Sequence, residues 1–536
     1  MTSWNIDRIR SAVSQRYIHS ISNRRWQKLN LRVARIAPAA NQPPVIIFNA
    51  STRLEAVSQN AAYSFLSSKA LTLAGVPVIY FACRAGLTRC VLGSNRDDVH
   101  QEPPCKHCIA QSRRLYEGNN VRWFEDRPVP EIDELIISLS VNEMEGFVHQ
   151  GVPLGRWAVN SLRWVLRRHH LANDDATRSF FRHFIHSSWN VYSQFTALVE
   201  ESHPQAVVVF NGMFYPEAAA RHVCLQKGIR VITHEVGLRP YTAFFTPGEA
   251  TAYPIHINDD FQLDDAMNRR LDAYLADRMQ GNFTMAGIRF WPEMKGLDES
   301  FLAKAAQFKQ IVPVFTNVVF DTSQVHANTL FPEMFSWLEN VRQTIEHHPE
   351  TLFVIRAHPD EGRAGKESRE SVAQWVSNTE TDKLPNVIFV DAGERLSSYD
   401  LIQRSHFVMV YNSTIGLEAS IMGKAVLAGG KARFTQLATS FFPQSLEEYN
   451  HKLDELLTSD SITVPAEFQV NARRFLYYQL YVTSLPFDEF IEDDGVWKGY
   501  VRLKGFPVES LSPERSSIMR VISDGILRGG HFELEP

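Results

Sequence analysis

No apolar run in this chain approaches the roughly 20 residues that a membrane-spanning helix needs. The first forty residues carry no apolar h-region of the kind a secretory signal uses, so a cytoplasmic protein is expected. Positive charge is not in excess. Lys and Arg number 55 against 60 Asp and Glu, a formal net charge of −5, which gives no global pull toward nucleic acid. Cysteine is scarce, five residues in all, and in the cytoplasm thiols stay reduced, so a disulfide framework is not expected. A Walker-type glycine loop, internal repeats and low-complexity tracts are missing as well.

What remains is a chain of 536 residues, 44% hydrophobic and 21% charged, a soluble globular composition too long for one core. Strand-length apolar runs alternate with helical patterns, which argues for α/β layers over mostly parallel sheets. In the first half the runs are 44–51, 76–84, 133–141, 205–212 and 229–235, with a long helical section at about 153–200. In the second half they are 311–317, 351–358, 386–391, 406–412 and 424–430. The spacing predicts a basic helical arm over 1–36, a Rossmann-like domain over 37–295, a second over 296–460, and a helical tail over 461–536. In the arm, Arg8, Arg10, Arg16, Arg24, Arg25, Lys28, Arg32 and Arg35 face a single acid, Asp7, with Trp4 and Trp26 interleaved. Peripheral contact with an anionic membrane is one reading; a solvated helix packed on the first domain is the other.

Each strand ends in polar residues. The first domain offers Asn49 and Ser51, Asn211-Gly212 and His234-Glu235; the second offers Thr316-Asn317, Arg356 and His358, Asp391, and Asn412-Ser413-Thr414. In an open parallel sheet these ends share one edge, where ligands bind. The stretch VMVYNSTIGLEASIMGKAV (408–426) breaks from a buried strand into three small polar residues that open a helix. Such a start is either a simple cap or an anion site. In RAHPDEGR (356–363), Arg356 and His358 are donors suited to phosphate oxygens. Glu418 could accept hydrogen bonds from ribose hydroxyls.

The order RAHPDE followed about fifty residues later by YNSTIGLEASIMGKAVL resembles the C-terminal half of GT-B glycosyltransferases. It is most similar to the capsule polysaccharide group that includes the Kdo transferases. The resemblance implies that His358-Pro359 and Ser413-Thr414 hold a nucleotide phosphate, with Glu418-Ala419 and Gly423-Lys424 completing the site. HEVGLRP (234–240) is similar to that group's N-domain segment. The expected fold is GT-B, two Rossmann-like domains facing across a cleft. The expected activity is transfer of a sugar from a nucleotide-sugar donor to a glycan or glycolipid acceptor in capsule or lipopolysaccharide assembly. The rivals are a CDP-glycerol-type polymer phosphotransferase and a non-catalytic glycan-assembly scaffold.

On the acceptor side Glu235 is the candidate base, with His234 as substitute and Asn211 and Arg239 as binding residues; a Glu235–Arg239 pair is the structural alternative. Asp259-Asp260 and Asp264-Asp265 read as a solvated helix start, and no catalytic metal is expected. Cys83, Cys90, Cys105 and Cys108 fall within twenty-six residues, the last two with metal-knuckle spacing. A structural zinc is the leading reading, with unligated thiols and, well below the zinc, an iron–sulfur cluster as the others.

Overall fold

The computed structural model describes residues 3–51, 56–280, 284–285, 288–289, 295–363, 365–497 and 499–535; at 3–19, 284–285 and 288–289 this means backbone alone. Two sheets organise the chain. The first holds seven strands, in the order Leu485–Pro486, Thr242–Thr246, Arg230–Val236, Ala206–Phe210, Val45–Phe48, Val78–Cys83, Asn120–Phe124. Its strands are parallel except for the hairpin formed by 230–236 with 242–246 and the antiparallel edge at 485–486. The second is wholly parallel, in the order Val387–Val390, Thr351–Arg356, Gln310–Phe315, Val408–Val410, Val426–Ala428.

The central strands are mostly apolar because helices cover both faces. Val45 and Ile47 point into one core of the first domain, and Ile46 and Phe48 into the other. Leu352 and Val354 are divided from Phe353 and Ile355 in the same way across the second sheet. This is the two-residue period of a strand. The result is the expected α/β architecture of two Rossmann-like domains, in the GT-B arrangement.

In each sheet the connections reverse direction once, and ligands of open α/β sheets bind beyond the carboxyl ends at that reversal. In the second sheet the reversal lies between 310–315 and 408–410, so Thr316-Asn317 and Asn412-Ser413-Thr414 meet there. In the first it lies between 45–48 and 206–210, which brings Asn49 to Asn211.

The structure departs from the sequence expectation in three places. The run 133–141 is not a strand but lies across two helices, Pro130–Ile136 and Val141–Glu145. Proline in the first turn with Glu131 and Asp133 is a helix start, and Ile132 and Ile136 bury one face four residues apart. The edge strand is Asn120–Phe124 instead. The C-terminal segment is more than a helical tail. After helix Ala466–Tyr477 packs on the second domain, the chain crosses back, adds 485–486 to the first sheet and pairs Tyr500–Leu503 with Val57–Ser58. Helix Ser517–Arg528 then buries Met519, Ile522 and Ile526 in the first core.

The N-terminal arm is one helix, Ser3–Ile36, whose Trp26, Leu29 and Val33 are buried in the first core. Arg25 donates to the carbonyl of Leu503 at 2.8 Å. The second half of the arm is therefore packed on the domain; the side chains of Trp4, Arg8, Arg10 and Arg16 lie outside the described residues. Among the described residues no helix is long and apolar enough to cross a membrane. Asp264 caps helix Asp265–Met279 by accepting from Met267 N at 2.7 Å, the structural role expected of that acidic stretch.

Candidate functional site

A cavity of about 610 Å³ opens at the reversal point of the second sheet. Asn317, Arg356, His358, Asn412, Ser413, Thr414 and Glu418 all line it. Thr414 stands at the start of helix Ile415–Ile421 without making a side-chain cap bond, and it and Ser413 both line the cavity. Asn317 Oδ1 accepts from Asn412 N at 3.2 Å and ties the two central strand ends together. Arg356 is buried, and burial lowers its guanidinium to about 10, which leaves it charged at neutral pH.

His358 carries information in its hydrogen bond. Its Nδ1 accepts from Asp360 N at 3.1 Å, capping the turn Pro359–Gly362. Burial holds the ring below the usual imidazole range, so the neutral tautomer with the proton on Nε2 is the one that fits. The structural reading of this histidine and the ligand reading are compatible: one nitrogen is anchored and the other is a donor.

Glu418 is not free to serve ribose alone. Arg278 approaches its Oε1 through Nε at 2.6 Å and through Nη2 at 2.5 Å, and Tyr399 donates to its Oε2 at 2.5 Å. Arg278 is held above its ordinary value by that carboxylate despite its burial. Arg278 and Tyr399 line the cavity, yet no motif marked them; they arrive from separate helices and become visible only in three dimensions. Lys431 and Arg433 were missed too. They follow the Gly429-Gly430 turn, where a Cβ on residue 429 would stand 2.3 Å from Trp337 Nε1, and Arg433 lies 3.6 Å over the Tyr253 ring.

Three residues that the sequence singled out lie elsewhere. Asp391 sits on the edge strand, exposed, and bonds within its own turn to Ala392 N at 2.7 Å. Gly423, at φ +80°, ends the helix, and Lys424 Nζ binds the Ser405 carbonyl at 2.9 Å.

A second cavity of about 540 Å³ belongs to the first domain and is lined by Glu235, Asn211 and Asn60. Glu235 Oε1 accepts from Asn60 Nδ2 at 3.1 Å and from its neighbour Val236 N at 2.9 Å; Oε2 accepts from Asn211 Nδ2 at 2.9 Å. Asn211 can hold that orientation because its Oδ1 is taken by Met213 N at 3.1 Å. Burial raises the Glu235 carboxyl, partly offset by these three bonds. A carboxylate has about four lone-pair positions, so one on Oε2 remains for a ligand proton.

His234 points the other way. Strand alternation puts it in the core between Phe210 and Phe245, without a hydrogen-bond partner, and burial lowers it to about 3. It reaches neither cavity. Arg239 does not pair with Glu235; its Nε donates to the Leu480 carbonyl at 2.8 Å and its guanidinium lies 5.1 Å from the Tyr481 ring centroid, so it fastens the returning C-terminal segment. Glu217 was missed. It lies in the first turn of helix Tyr215–Gln226, lines the second cavity, and burial pushes it up to about 8.

The two cavities are contiguous, sharing Thr251, Asp321, Ser323 and Arg433. Cys83, Cys90, Cys105 and Cys108 all line the second, and burial raises every one of their thiols, Cys90 to about 12. Cys224 is buried in the core. Among the described residues no three His, Cys, Asp or Glu side chains are gathered round a point that one metal ion could fill.

Residues 291–448 match the family model described as capsule polysaccharide biosynthesis protein, a span that includes every residue proposed above for the first cavity from the sequence. The chain is 27% identical over 228 residues to Protein FixF of Sinorhizobium fredii (strain NBRC 101917 / NGR234). That alignment takes in 42% of this chain and 48% of the relative, so the chain spans about half the length of the curated protein it matches. Among solved structures it is similar to Thermosulfurimonas dismutans KpsC, beta Kdo 2,4 transferase, at 12% identity over 52% of this chain and 80% of that one, with a TM-score of 0.34. The beta Kdo 2,7 transferase of the same KpsC matches at 16% identity over the same shares, with a TM-score of 0.32. Sucrose-phosphate synthase from Thermosynechococcus elongatus matches at 13% identity over 82% of this chain and 95% of that one, with a TM-score of 0.28.

Proposed function

We propose that this protein is a glycosyltransferase. It moves a sugar from a nucleotide-activated donor held on the C-terminal domain to a hydroxyl of a capsule or lipopolysaccharide glycan held on the N-terminal domain. One observation carries the reading: a cation-lined cavity at one sheet's reversal point runs into a carboxylate-bearing cavity at the other's. The match of 291–448 to the capsule family supports it.

In this proposal the donor phosphates meet Arg356, the Nε2 proton of His358, and the backbone and hydroxyls of Ser413 and Thr414. Lys431 and Arg433 lie where the leaving nucleotide gathers charge, so fixed cations supply the neutralisation at the bond that breaks. Glu418, braced by Arg278, faces the nucleoside. On the other side Glu235 takes the proton of the acceptor hydroxyl through the unused position on Oε2. The acceptor oxygen bonds to the anomeric carbon, and the glycosidic electron pair leaves with the nucleotide. Asn60 and Asn211 hold the carboxylate in place while this happens.

The test is a thermal-shift panel of UDP, GDP, CMP and CDP with wild type, His358→Ala and Ser413→Ala. One nucleotide should stabilise the wild type. Losing one charge-assisted hydrogen bond costs about 1.5–3 kcal/mol, so each variant should bind it at least about tenfold more weakly. Unchanged affinity in both variants would remove the phosphate site, and binding of no nucleotide would leave the scaffold reading.

A further inference from the structure

The four cysteines of the second cavity take no part in the transfer just proposed, yet their surroundings are built around sulfur. All four line one chamber, and none is in a disulfide.

Backbone donors are aimed at two of them. Gly86 N donates to Cys83 Sγ at 3.3 Å, and Gly93 N to Cys90 Sγ at 3.1 Å. Both come from the same local device, a cysteine followed three residues later by glycine (Cys83-Arg-Ala-Gly86 and Cys90-Val-Leu-Gly93). Glycine is needed at 93 because a Cβ there would stand 2.9 Å from Cys90 Sγ. The other two cysteines begin helix Cys105–Leu115, eleven residues long, whose cap position is Pro104 and whose first turn holds no acid. Its N-terminal dipole is therefore left to act on sulfur. Cys108 Sγ also lies 3.2 Å from Ser51 Oγ. Donors to sulfur stabilise thiolates that carry charge, as they do around metal-bound sulfur.

Whether the ligands are gathered separates a single ion from something larger. A tetrahedral zinc at about 2.3 Å from each sulfur draws four thiolates to within about 4 Å of one another. Here the four line one chamber, and no three His, Cys, Asp or Glu side chains among the described residues are gathered for one ion. A cubane of iron and sulfide presents its four irons at separate corners, so it takes one thiolate at each corner of a wider frame.

We propose that Cys83, Cys90, Cys105 and Cys108 hold a [4Fe–4S] cluster. Binding replaces one proton on each thiol by one iron–sulfur bond and needs no change in oxidation state of the protein. Its place is architectural. The segment 84–104 between strand and helix contains no regular element, and it also reaches the other domain, through Arg96 to the Gly365 carbonyl at 3.2 Å and an ion pair of Asp97 with Arg369. A cluster gripping both ends of that segment would fix a strap that lines the second cavity and reaches the other domain.

The experiment is purification under argon, followed by reconstitution with ferric and ferrous iron in equal amounts and sulfide, with iron, sulfide and zinc measured per chain. About four irons and about four sulfides are expected, with a brown charge-transfer absorbance that bleaches on reduction. Cys90→Ser and Cys105→Ser should lose most of the iron and sulfide, while Cys224→Ser keeps them. Circular dichroism of the two chamber variants should match wild type, separating a lost cluster from a lost fold; should they unfold, the wild-type iron and sulfide content and the Cys224→Ser control still decide. One zinc per chain without iron, or neither metal after reconstitution with all four thiols titratable, overturns the proposal.

Discussion

The two walls of the cleft are assembled differently. On the C-terminal side Arg356, His358, Asn412, Ser413 and Thr414 sit at the ends of the two parallel strands that flank 310–315. Their positions follow from the sheet, and a hydrogen-bonded ladder tolerates little displacement. On the N-terminal side the wall is gathered from separated segments. Asn60 comes from a helix, Asn211 and Glu235 from two strand ends, and the cysteines from a stretch with little regular structure. On the function proposed above these are a donor wall, rigid by topology, and an acceptor wall that depends on side-chain bonds. On that reading one half would stay constant for a nucleotide while the other is refitted to an acceptor.

Substitutions can break that contrast. The largest effect is expected at the buried pair on the donor wall. Glu418→Ala takes the counter-ion from Arg278, whose side chain is only 12% exposed and keeps its bond to the Tyr274 hydroxyl, and breaking a buried ion pair from one side costs about 3–5 kcal/mol. Denaturant unfolding should show that loss; a variant as stable as wild type would mean the pair serves ligand and not the fold. Next comes the acceptor wall. Glu235→Gln removes a base without removing volume and should cut turnover about 100-fold with nucleotide affinity unchanged. Near-normal turnover would return Glu235 to a bracing role between Asn60 and Asn211.

A third effect sharpens the comparison through pH. Burial raises Glu217 from 4.5 to about 8 in the folded protein. Between those values the native state keeps a proton that the unfolded chain has released. Its contribution to stability therefore falls as pH rises through that window and levels off above about 8. Glu217→Gln should gain in melting temperature relative to wild type on going from about pH 5 to about pH 9. An equal difference at both pH values would show that this carboxyl is not held protonated.

Much of the donor wall was legible because its residues are consecutive or nearly so. Strand, polar end and helix follow one another in RAHPDE and in VMVYNSTIGLE, so apolar runs and punctuation locate them without knowledge of the rest of the chain. Asp391 was misplaced by the same logic. It ends a strand like the others, but 387–390 is the edge strand, away from the reversal, and strand order is not written in any local pattern. His234 shows a finer limit. Adjacent to Glu235, it faces the opposite side of the strand, and only the packing of Phe210 and Phe245 says which side is core.

By itself, then, the sequence determined the two α/β domains and the chemistry at the ends of their strands, since hydrophobic periodicity and local turn residues act over a few positions. The tertiary structure alone decided that Arg278 and Tyr399 brace Glu418, that Lys431 and Arg433 enter the cleft, and that the C-terminal segment returns to the first sheet. It also decided that four cysteines line one chamber together with Glu235. Those arrangements join residues tens to hundreds of positions apart, and the free energy that selects them comes from burying surfaces against each other, which no window along the chain contains.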